Sequence, residues 1–270
     1  MSYEHVLFDV SDNIATLTLN RPDALNALSA DLAKDLGRAI DEVKERAGDD
    51  VRSLILTGAG RAFCAGGDIK SMNAEKRTAA TQRARLRTAQ PRILDLLNLE
   101  LPVVSLVNGP AAGAGANLAL AADFVFATPR GMFMQAFGRI GLVPDYAGFY
   151  VLPRLVGLQK AKELIFTARK VGAQEAQSMG LVHTIVSEDN AMAETREFAG
   201  RLANASTTAI GLAKNILNQS HNLDMRALLD MEAAAQGVAS ATDFHREAVR
   251  RFAAKEPALY DWEALSGSKD

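Results

Sequence analysis

Two glycine-rich stretches hold the residues whose spacing points most directly to chemistry. The first is Ala62-Phe63-Cys64-Ala65-Gly66-Gly67-Asp68, and the second runs from Asn108 to Asn117. Each follows an apolar, strand-like run, so in each case a buried strand is followed by small residues. Small side chains let a ligand approach the backbone closely. On neighbouring strands, the amides of the two turns could bind one oxygen atom, as in an oxyanion hole. The same glycines would also fit ordinary tight turns, which composition alone favours.

Other catalytic patterns are absent from the sequence. The second stretch has Leu118 where a dinucleotide-binding loop needs its third glycine, and it lacks the Lys-Ser/Thr pair of a P-loop. No G-x-S-x-G elbow occurs. The four histidines lack metal-ligand spacing, and the single cysteine, Cys64, is best interpreted as a small buried thiol. We therefore expect no metal site.

Composition limits the class of protein further. The chain has 270 residues, 48% of them apolar, and a formal net charge of −2. That charge gives no electrostatic case for binding nucleic acid or an anionic membrane. No apolar run reaches the roughly 20 residues of a membrane helix, and the first residues do not resemble a signal peptide. We expect a soluble protein of the cytoplasm with no membrane and no nucleic-acid partner.

Hydrophobic periodicity predicts the elements that carry the two stretches. The first 20 residues indicate a hairpin, and Ser29 can cap a helix whose buried face is Leu32, Leu36, Ile40 and Val43. Buried strands are predicted over 53–57 and 102–107, with a polar helix within 74–97 between them and a nearly all-helical chain after Glu188. Apolar strands alternating with helices indicate an α/β fold. We divide it into a core domain, 1–200, and a helical C-terminal region, 201–270.

Three motifs in this order resemble the enoyl-CoA hydratase/isomerase, or crotonase, superfamily. They are Asn20 to Leu28, Ala62 to Lys70 and Val107 to Gly115. The resemblance covers nearly the whole chain. It implies a spiral of ββα units followed by helices for trimerisation, giving a homotrimer or a hexamer of two trimers. It also implies an acyl-CoA thioester substrate, with coenzyme A as part of the substrate and no other cofactor.

The resemblance assigns roles residue by residue. The two oxyanion amides fall on Gly67 and Ala114, where a backbone N–H is sufficient. Three positions near the C-terminus, Phe252, Lys255 and Tyr260, correspond to positions close to the nucleotide, in some members that of a neighbouring subunit, although Lys255 is equally an ordinary surface lysine. The remaining positions implied to line the coenzyme A path are Ala24, Leu25, Ala65, Asp68, Ile69 and Lys70.

Departures from the family pattern narrow the expected reaction. Typical hydratases hold water with two glutamates, whereas this chain has Asn117 and Phe137 at those positions. Asparagine cannot accept a proton and phenylalanine cannot titrate, so hydration by two carboxylates is not expected. The run Phe133 to Pro153 resembles the 1,2-epoxyphenylacetyl-CoA isomerase-like branch, in which an aspartate at the position of Asp145 is the base. One carboxylate suffices for an isomerase.

The surroundings of Asp145 leave alternatives open. Aromatic residues are dense around it, and we interpret them as a wall that excludes water and raises the pKa of Asp145: Phe133, Phe137, Tyr146, Phe149 and Tyr150. Tyr146 stands where glycine is more usual in the branch, which affects the acyl shape that fits. The simpler interpretation of Asp145 is a turn residue or helix cap after Pro144.

Three rival functions also remain. They are a hydratase in which Asn117 positions water, an enzyme in which Asp145 is a nucleophile, and a family member that binds acyl-CoA or RNA without catalysis.

Overall fold

The computed structural model describes residues 3–68 and 78–265. Within them the strands are β1 Val6–Ser11, β2 Ile14–Leu19, β3 Ser53–Gly58, β4 Val103–Val107, β5 Pro110–Ala112, β6 Phe124–Ala127, β7 Met132–Met134, β8 Lys170–Gly172 and β9 Thr184–Ile185. The α-helices are α1 Ala30–Glu45, α2 Ala79–Leu97, α3 Ala114–Leu120, α4 Gly148–Thr167, α5 Ala173–Ser178, α6 Ala191–Ala203, α7 Thr207–Gln219, α8 Met225–Ser240, α9 Asp243–Ala254 and α10 Trp262–Leu265.

Two sheets organise these elements. The larger has the order β1-β2-β3-β4-β6-β9, in which β1 and β2 form an antiparallel hairpin and the other neighbours are parallel. The smaller has the order β5-β7-β8. Every residue of β3 and β4 is buried. Helix α6 packs on β3 and β4, α3 packs on β4, and α1 packs on β1 and β2. Parallel strands covered on both faces are predominantly apolar, which is the pattern of the sequence.

The predicted α/β class and its principal elements are confirmed. The Ser29 hydroxyl accepts a hydrogen bond from the amide of Leu32 at 3.2 Å and caps α1 as predicted. The four apolar residues predicted to form the buried face of α1 are all at most 4% exposed. The helix predicted within 74–97 is α2, which begins at Ala79, while residues 74–77 lie outside the described part of the chain.

The C-terminal helices differ from the rest of the chain in burial. Helices α8 and α9 contain no buried residue, and α8 contacts α7 and α9. The boundary predicted near residue 200 falls inside α6, whose Phe198 and Ala199 are buried against the large sheet. The division into two domains stays a prediction. Over residues 3–68 and 78–265, no helix is both long enough and apolar enough to cross a membrane.

Candidate active site

The two glycine-rich turns lie side by side, because they leave adjacent parallel strands. After β3 and β4, the amide of Cys64 donates to the carbonyl of Pro110 at 3.1 Å, and the amide of Ala112 donates to the carbonyl of Cys64 at 2.9 Å. Gly66 has a φ of +93°, and a Cβ on it would lie 2.5 Å from the carbonyl oxygen of Ala112. This close approach requires glycine at position 66.

The amides of Gly67 and Ala114 have no hydrogen-bond acceptor among the described residues. Ala114 is the first residue of α3, where a backbone N–H has no partner inside the helix. Among the described residues, no backbone acceptor takes the N–H of either Gly67 or Ala114. A Cβ on Gly66 would lie 3.6 Å from the nitrogen of Ala114, so the two turns meet at this point. Neither Gly67 nor Ala114 lines the cavity described below, and their use as an oxyanion hole stays a prediction.

A third segment packs against the first turn. The amide of Ala65 donates to the carbonyl of Leu25 at 2.9 Å, which places these two predicted substrate-binding residues together. Leu25 has a φ of +51° and follows Ala24 in a short 3₁₀ turn. Arg21 lies 3.2 Å from the carboxylate of Asp68. Ala24, Leu25, Ala65 and Asp68 thus lie together along one edge of the turn that follows β3. Ile69 and Lys70 lie outside the described residues.

Asn26 ties this edge to the turn after β3. Its fully buried side chain donates from Nδ2 to the carbonyls of Ala59 at 2.9 Å and Ala62 at 2.8 Å. The Cys64 thiol donates to the carbonyl of Asn26 at 3.0 Å. Burial raises the pKa of Cys64 to about 12. Cys64 is therefore the buried, inert thiol that the sequence predicted.

Asp145 lies in a turn, and its backbone carbonyl accepts the hydrogen bonds that hold the turn. The carbonyl accepts the amide of Gly148 at 3.0 Å and the side-chain Nδ2 of Asn117 at 2.8 Å. Tyr146 and Ala147 have φ values of +48° and +60°, which are unusual for residues with a Cβ. The residue at the cap position of α4 is Ala147, and no side chain caps the helix. The interpretation of Asp145 as a helix cap is therefore wrong.

The carboxylate of Asp145 is in a state suited to proton transfer. The side chain is half-buried, and its Oδ1 is buried with no hydrogen-bond partner among the described atoms. Burial raises the pKa of Asp145 to about 6, while the positive charge of Arg85 opposes the rise. A carboxyl group near this value can accept and return a proton close to neutral pH.

A cavity of about 710 Å³ borders Asp145. Apolar side chains of α2, including Leu86, Leu94 and Leu97, form one side of it. The residues that line it on the other side are Pro144, Asp145, Tyr146, Ala147, Gly148, Phe149 and Tyr150, with Asn218 and Gln219 of α7. Most side chains of the polar helix α2 are exposed, but one side of the helix borders this cavity.

The predicted aromatic wall is correct in part. Tyr146, Phe149 and Tyr150 line the cavity beside Asp145. Phe133 and Phe137 do not line it: they are 3% and 7% exposed and belong to the core. Phe133 lies on β7 in the smaller sheet, and a Cβ on Gly113 would lie 3.6 Å from the ring of Phe137. Phe137 thus packs beneath the turn that leads into α3.

Asn117 has both atoms of its amide group engaged. Its Nδ2 donates to the carbonyl of Asp145, and its Oδ1 accepts from Gln135 Nε2 at 2.8 Å. The residue is fully buried. Gln135 was not foreseen, since it stands 18 positions from Asn117 in no recognisable motif. Arg85 and Gly148 were not foreseen either, because their roles depend on contacts between distant segments.

The predicted nucleotide-contacting residues lie away from the cavity in this single chain. Phe252 is 87% exposed on α9, and the exposed Lys255 follows that helix with a φ of +55°. Neither lines the cavity beside Asp145. For residues 3–68 and 78–265, no three His, Cys, Asp or Glu side chains gather as a metal site would require.

Comparisons with known proteins identify the fold and the family. A crystal structure described as enoyl-CoA hydratase/isomerase from Cupriavidus metallidurans CH34 superimposes with a TM-score of 0.91 at 37% identity, covering 96% of this chain and 97% of the other. A Rhodobacter capsulatus protein named "probable enoyl-CoA hydratase" is 39% identical over 95% of this chain and 98% of its own. The 1,2-epoxyphenylacetyl-CoA isomerase of Escherichia coli is 35% identical over 93% and 96%.

The sequence motifs and the crotonase-like fold class are thereby confirmed, including the resemblance to the 1,2-epoxyphenylacetyl-CoA isomerase-like branch. The family model for enoyl-CoA hydratase/isomerase matches residues 9–263, which spans both turns, the Asp145 segment and most of the C-terminal helices. This chain therefore belongs to the enoyl-CoA hydratase/isomerase family.

Proposed function

We propose that this protein is an acyl-CoA isomerase that works through an enolate. Asp145 removes a proton from the carbon next to the thioester carbonyl, and the electron pair of that C–H bond moves onto the carbonyl oxygen. The amides of Gly67 and Ala114 stabilise the resulting negative charge. The carboxyl group of Asp145 then returns the proton two carbons away. A 3-enoyl thioester becomes a 2-enoyl thioester, and no metal or redox cofactor takes part.

The state of Asp145 carries this proposal. The carboxylate borders a mostly apolar cavity, has an oxygen with no partner among the described atoms, and has a pKa raised to about 6. A purely structural aspartate would pair its charge with a donor or a cation. A base for a weakly acidic carbon needs this raised pKa and this absence of competing partners.

The substrate class follows from the family and from the cavity. Members of the family act on acyl-CoA thioesters, and we propose the edge formed by Ala24, Leu25, Ala65 and Asp68 as the path of coenzyme A, with Ile69 and Lys70 next along the chain. The apolar cavity would receive the acyl group. Both an unsaturated fatty acyl group and a ring epoxide of an aromatic acyl group are candidates, and Tyr146 would select between them by shape.

Hydration is the second candidate function, because the relatives include proteins named as hydratases. Two observations weigh against it. Asn117 is fully buried, its amide group bonds to Asp145 and Gln135, and it does not line the cavity where a water molecule would meet the substrate. Phe137 provides no polar atom at the other position. Nucleophilic attack by Asp145 and acyl-CoA binding without turnover complete the alternatives.

Assays with two substrates separate these functions. We expect the protein to convert 3-hexenoyl-CoA to 2-hexenoyl-CoA, and Asp145→Ala to lower kcat by at least about 10³-fold. Fast hydration of crotonyl-CoA that is unchanged in Asp145→Ala would refute the assignment. Incorporation of ¹⁸O from labelled water into Asp145 would indicate a nucleophile, and tight binding with no turnover of any enoyl-CoA or epoxide would indicate a binding protein.

We also propose a homotrimer or a hexamer of two trimers in the cytoplasm. The support is the apolar surface of α8 and α9, where Met225 is 76% exposed and Phe252 is 87% exposed. A second chain would cover such a surface. It could also bring Phe252 and Lys255 near the nucleotide of a neighbouring site. Light scattering after gel filtration tests this, and a monomeric mass at micromolar concentration would contradict it.

A further inference from the structure

A pair of buried amide side chains connects the helix that carries one oxyanion amide to the turn that carries the base. We propose that Asn117, oriented by Gln135, is a positioning residue that holds Asp145 at its working distance from the amide of Ala114. This inference rests on the proposed function. It assigns to Asn117 a role other than holding water.

The backbone carbonyl of Asp145 fixes the orientation of the side-chain amide groups of Asn117 and Gln135. The carbonyl of Asp145 can only accept, so the Asn117 atom 2.8 Å from it must be the donor Nδ2. The Oδ1 of Asn117 then faces Gln135, where only Nε2 can donate to it, at 2.8 Å. A carboxylate at position 117 could keep the contact with Gln135 but would oppose the carbonyl of Asp145.

The contact is also enclosed sterically. Asn117 is fully buried, and a Cβ on Gly148 would lie 2.3 Å from its Nδ2. The first residue of α4 therefore rests directly on this amide group. The amide of Gly148 donates to the same carbonyl of Asp145, at 3.0 Å. The carbonyl oxygen of Asp145 therefore accepts one hydrogen bond from Asn117 of α3 and one from Gly148 of α4.

The conformation of the turn explains why it needs such a contact. Tyr146 and Ala147 are consecutive residues with positive φ, a conformation that residues with a Cβ rarely adopt. The hydrogen bond from Asn117 to the carbonyl of Asp145 holds this strained turn in place, and without it only the amide of Gly148 would donate to that carbonyl. We therefore expect the turn to relax and Asp145 to move when the Asn117 donor is lost.

The same side chain links base and oxyanion hole by a short path. Asn117 lies three residues after Ala114 in α3, which is about 4.5 Å along a helix. The path from the amide of Ala114 to the backbone of Asp145 thus consists of less than one helical turn and one hydrogen bond. A misplacement of about 1 Å at a reacting group lowers the rate by about 10²-fold.

The test compares Asn117→Asp with Ser105→Ala. Asn117→Asp keeps the size of the side chain, and above the pKa of the new carboxyl group it has no hydrogen to donate to Asp145. We expect kcat to fall by about 10- to 100-fold while KM for 3-hexenoyl-CoA changes less than about threefold. We also expect the ascending limb of the pH profile of kcat/KM to move to higher pH, because a buried anion beside Asp145 raises its pKa.

Ser105→Ala is the matched control. Its buried hydroxyl donates to the carbonyl of Ala119 at 2.9 Å, so this variant also loses one buried hydrogen bond to α3, away from Asp145. We expect a lower melting temperature but an unchanged pH profile. Wild-type kcat and pH profile in Asn117→Asp would overturn the proposal, and so would an equal loss of kcat in both variants.

A readout without turnover separates this inference from the proposed function. Selective ¹³C labelling of aspartate carboxyl groups, with Asp145→Asn for assignment, gives the pKa of Asp145 in the ligand-free protein. We expect a higher value in Asn117→Asp than in wild type and an unchanged value in Ser105→Ala. If the wild type has no isomerase activity, the proposed function fails, while equal pKa values in Asn117→Asp and wild type refute the positioning role itself.

Discussion

Asp145→Asn should abolish isomerisation and at the same time stabilise the folded protein above pH 6. The carboxylate of Asp145 is charged at neutral pH, partly removed from water, and has one oxygen with no partner among the described atoms. Asparagine has nearly the same shape and no charge. The substitution removes the proposed base and also removes the free energy that the fold spends on keeping a carboxylate there.

The pKa gives the size of the effect. Burial raises it from 3.8 to about 6, and each pKa unit corresponds to about 1.4 kcal/mol. The charged form therefore destabilises the folded state by about 3 kcal/mol at pH 7.5. At pH 4.5 most folded molecules carry a neutral Asp145, and the difference falls to about 1 kcal/mol. For 270 residues, 3 kcal/mol corresponds to a rise in melting temperature of about 5 °C.

Calorimetry of wild type and Asp145→Asn at one protein concentration, at pH 7.5 and at pH 4.5, measures this. Asp189→Asn, at an exposed turn before α6, is the control, and it should change stability by less than about 0.5 kcal/mol. A melting temperature of Asp145→Asn at or below that of wild type at pH 7.5 would refute the reasoning. So would a stabilisation of the same size at both pH values.

Three further predictions concern the groups around Asp145. Ala114→Pro removes one oxyanion amide at the first position of α3, where proline is tolerated, so kcat should fall by about 10²- to 10³-fold with little loss of circular dichroism. Ala114→Ser keeps the amide and should retain kcat within about threefold; more than a tenth of wild-type kcat in the proline variant would contradict the role of the amide. Arg85→Ala should move the ascending limb of the pH profile of kcat/KM upward, because its charge lowers the pKa of Asp145, and an unmoved limb would show that the charge does not reach the site. Gly148→Ala should lower the free energy of unfolding by about 1–3 kcal/mol in urea, since its Cβ would lie 2.3 Å from Asn117 Nδ2, and a wild-type midpoint would contradict the packing.

The elements of the fold could be predicted because their signals are local. Helix α1 has its cap and its apolar face within 16 residues, and β3 and β4 are short, predominantly apolar runs. The adjacency of the two glycine-rich turns also follows from sequence, since consecutive buried strands in an α/β protein are commonly neighbours. The placement of Gly66 next to Ala114 therefore needed only the strand order and two turns.

The surroundings of Asp145 could not be predicted in the same way. Phe133 and Phe137 are near Asp145 in sequence, but a strand of the smaller sheet and a 3₁₀ turn direct them into the core. The true opposite side of the cavity comes from α2, about 50 to 60 residues earlier, where Leu86 and Leu94 stand in a stretch that is otherwise polar. Proximity in sequence was a poor guide to proximity in space across these turns.

The hydrogen-bond partners of Asn117 could not be identified from the family pattern. Sequence alone says that a carboxylate is missing and suggests an amide that holds water. The structure adds the partner of each amide atom, and neither partner is recognisable in the sequence: one is a backbone carbonyl, and the other is Gln135. A hydrogen bond to a backbone atom leaves no constraint on the type of residue that supplies it, so no motif could have revealed it.

Several features that oppose stability lie close together around Asn117, and their combination is a physical argument for a site. A half-buried carboxylate, two consecutive residues with positive φ, and a buried Gln135 oxygen without a described partner surround one amide group. An apolar residue at position 145 and glycines at 146 and 147 would remove the charge burial and the backbone strain. Such costs persist at functional sites, where the strained arrangement is the one that works. A single base that must both take and return a proton explains why Asn117 is neutral: a second carboxylate beside Asp145 would raise its pKa further and hold the proton that the reaction has to release.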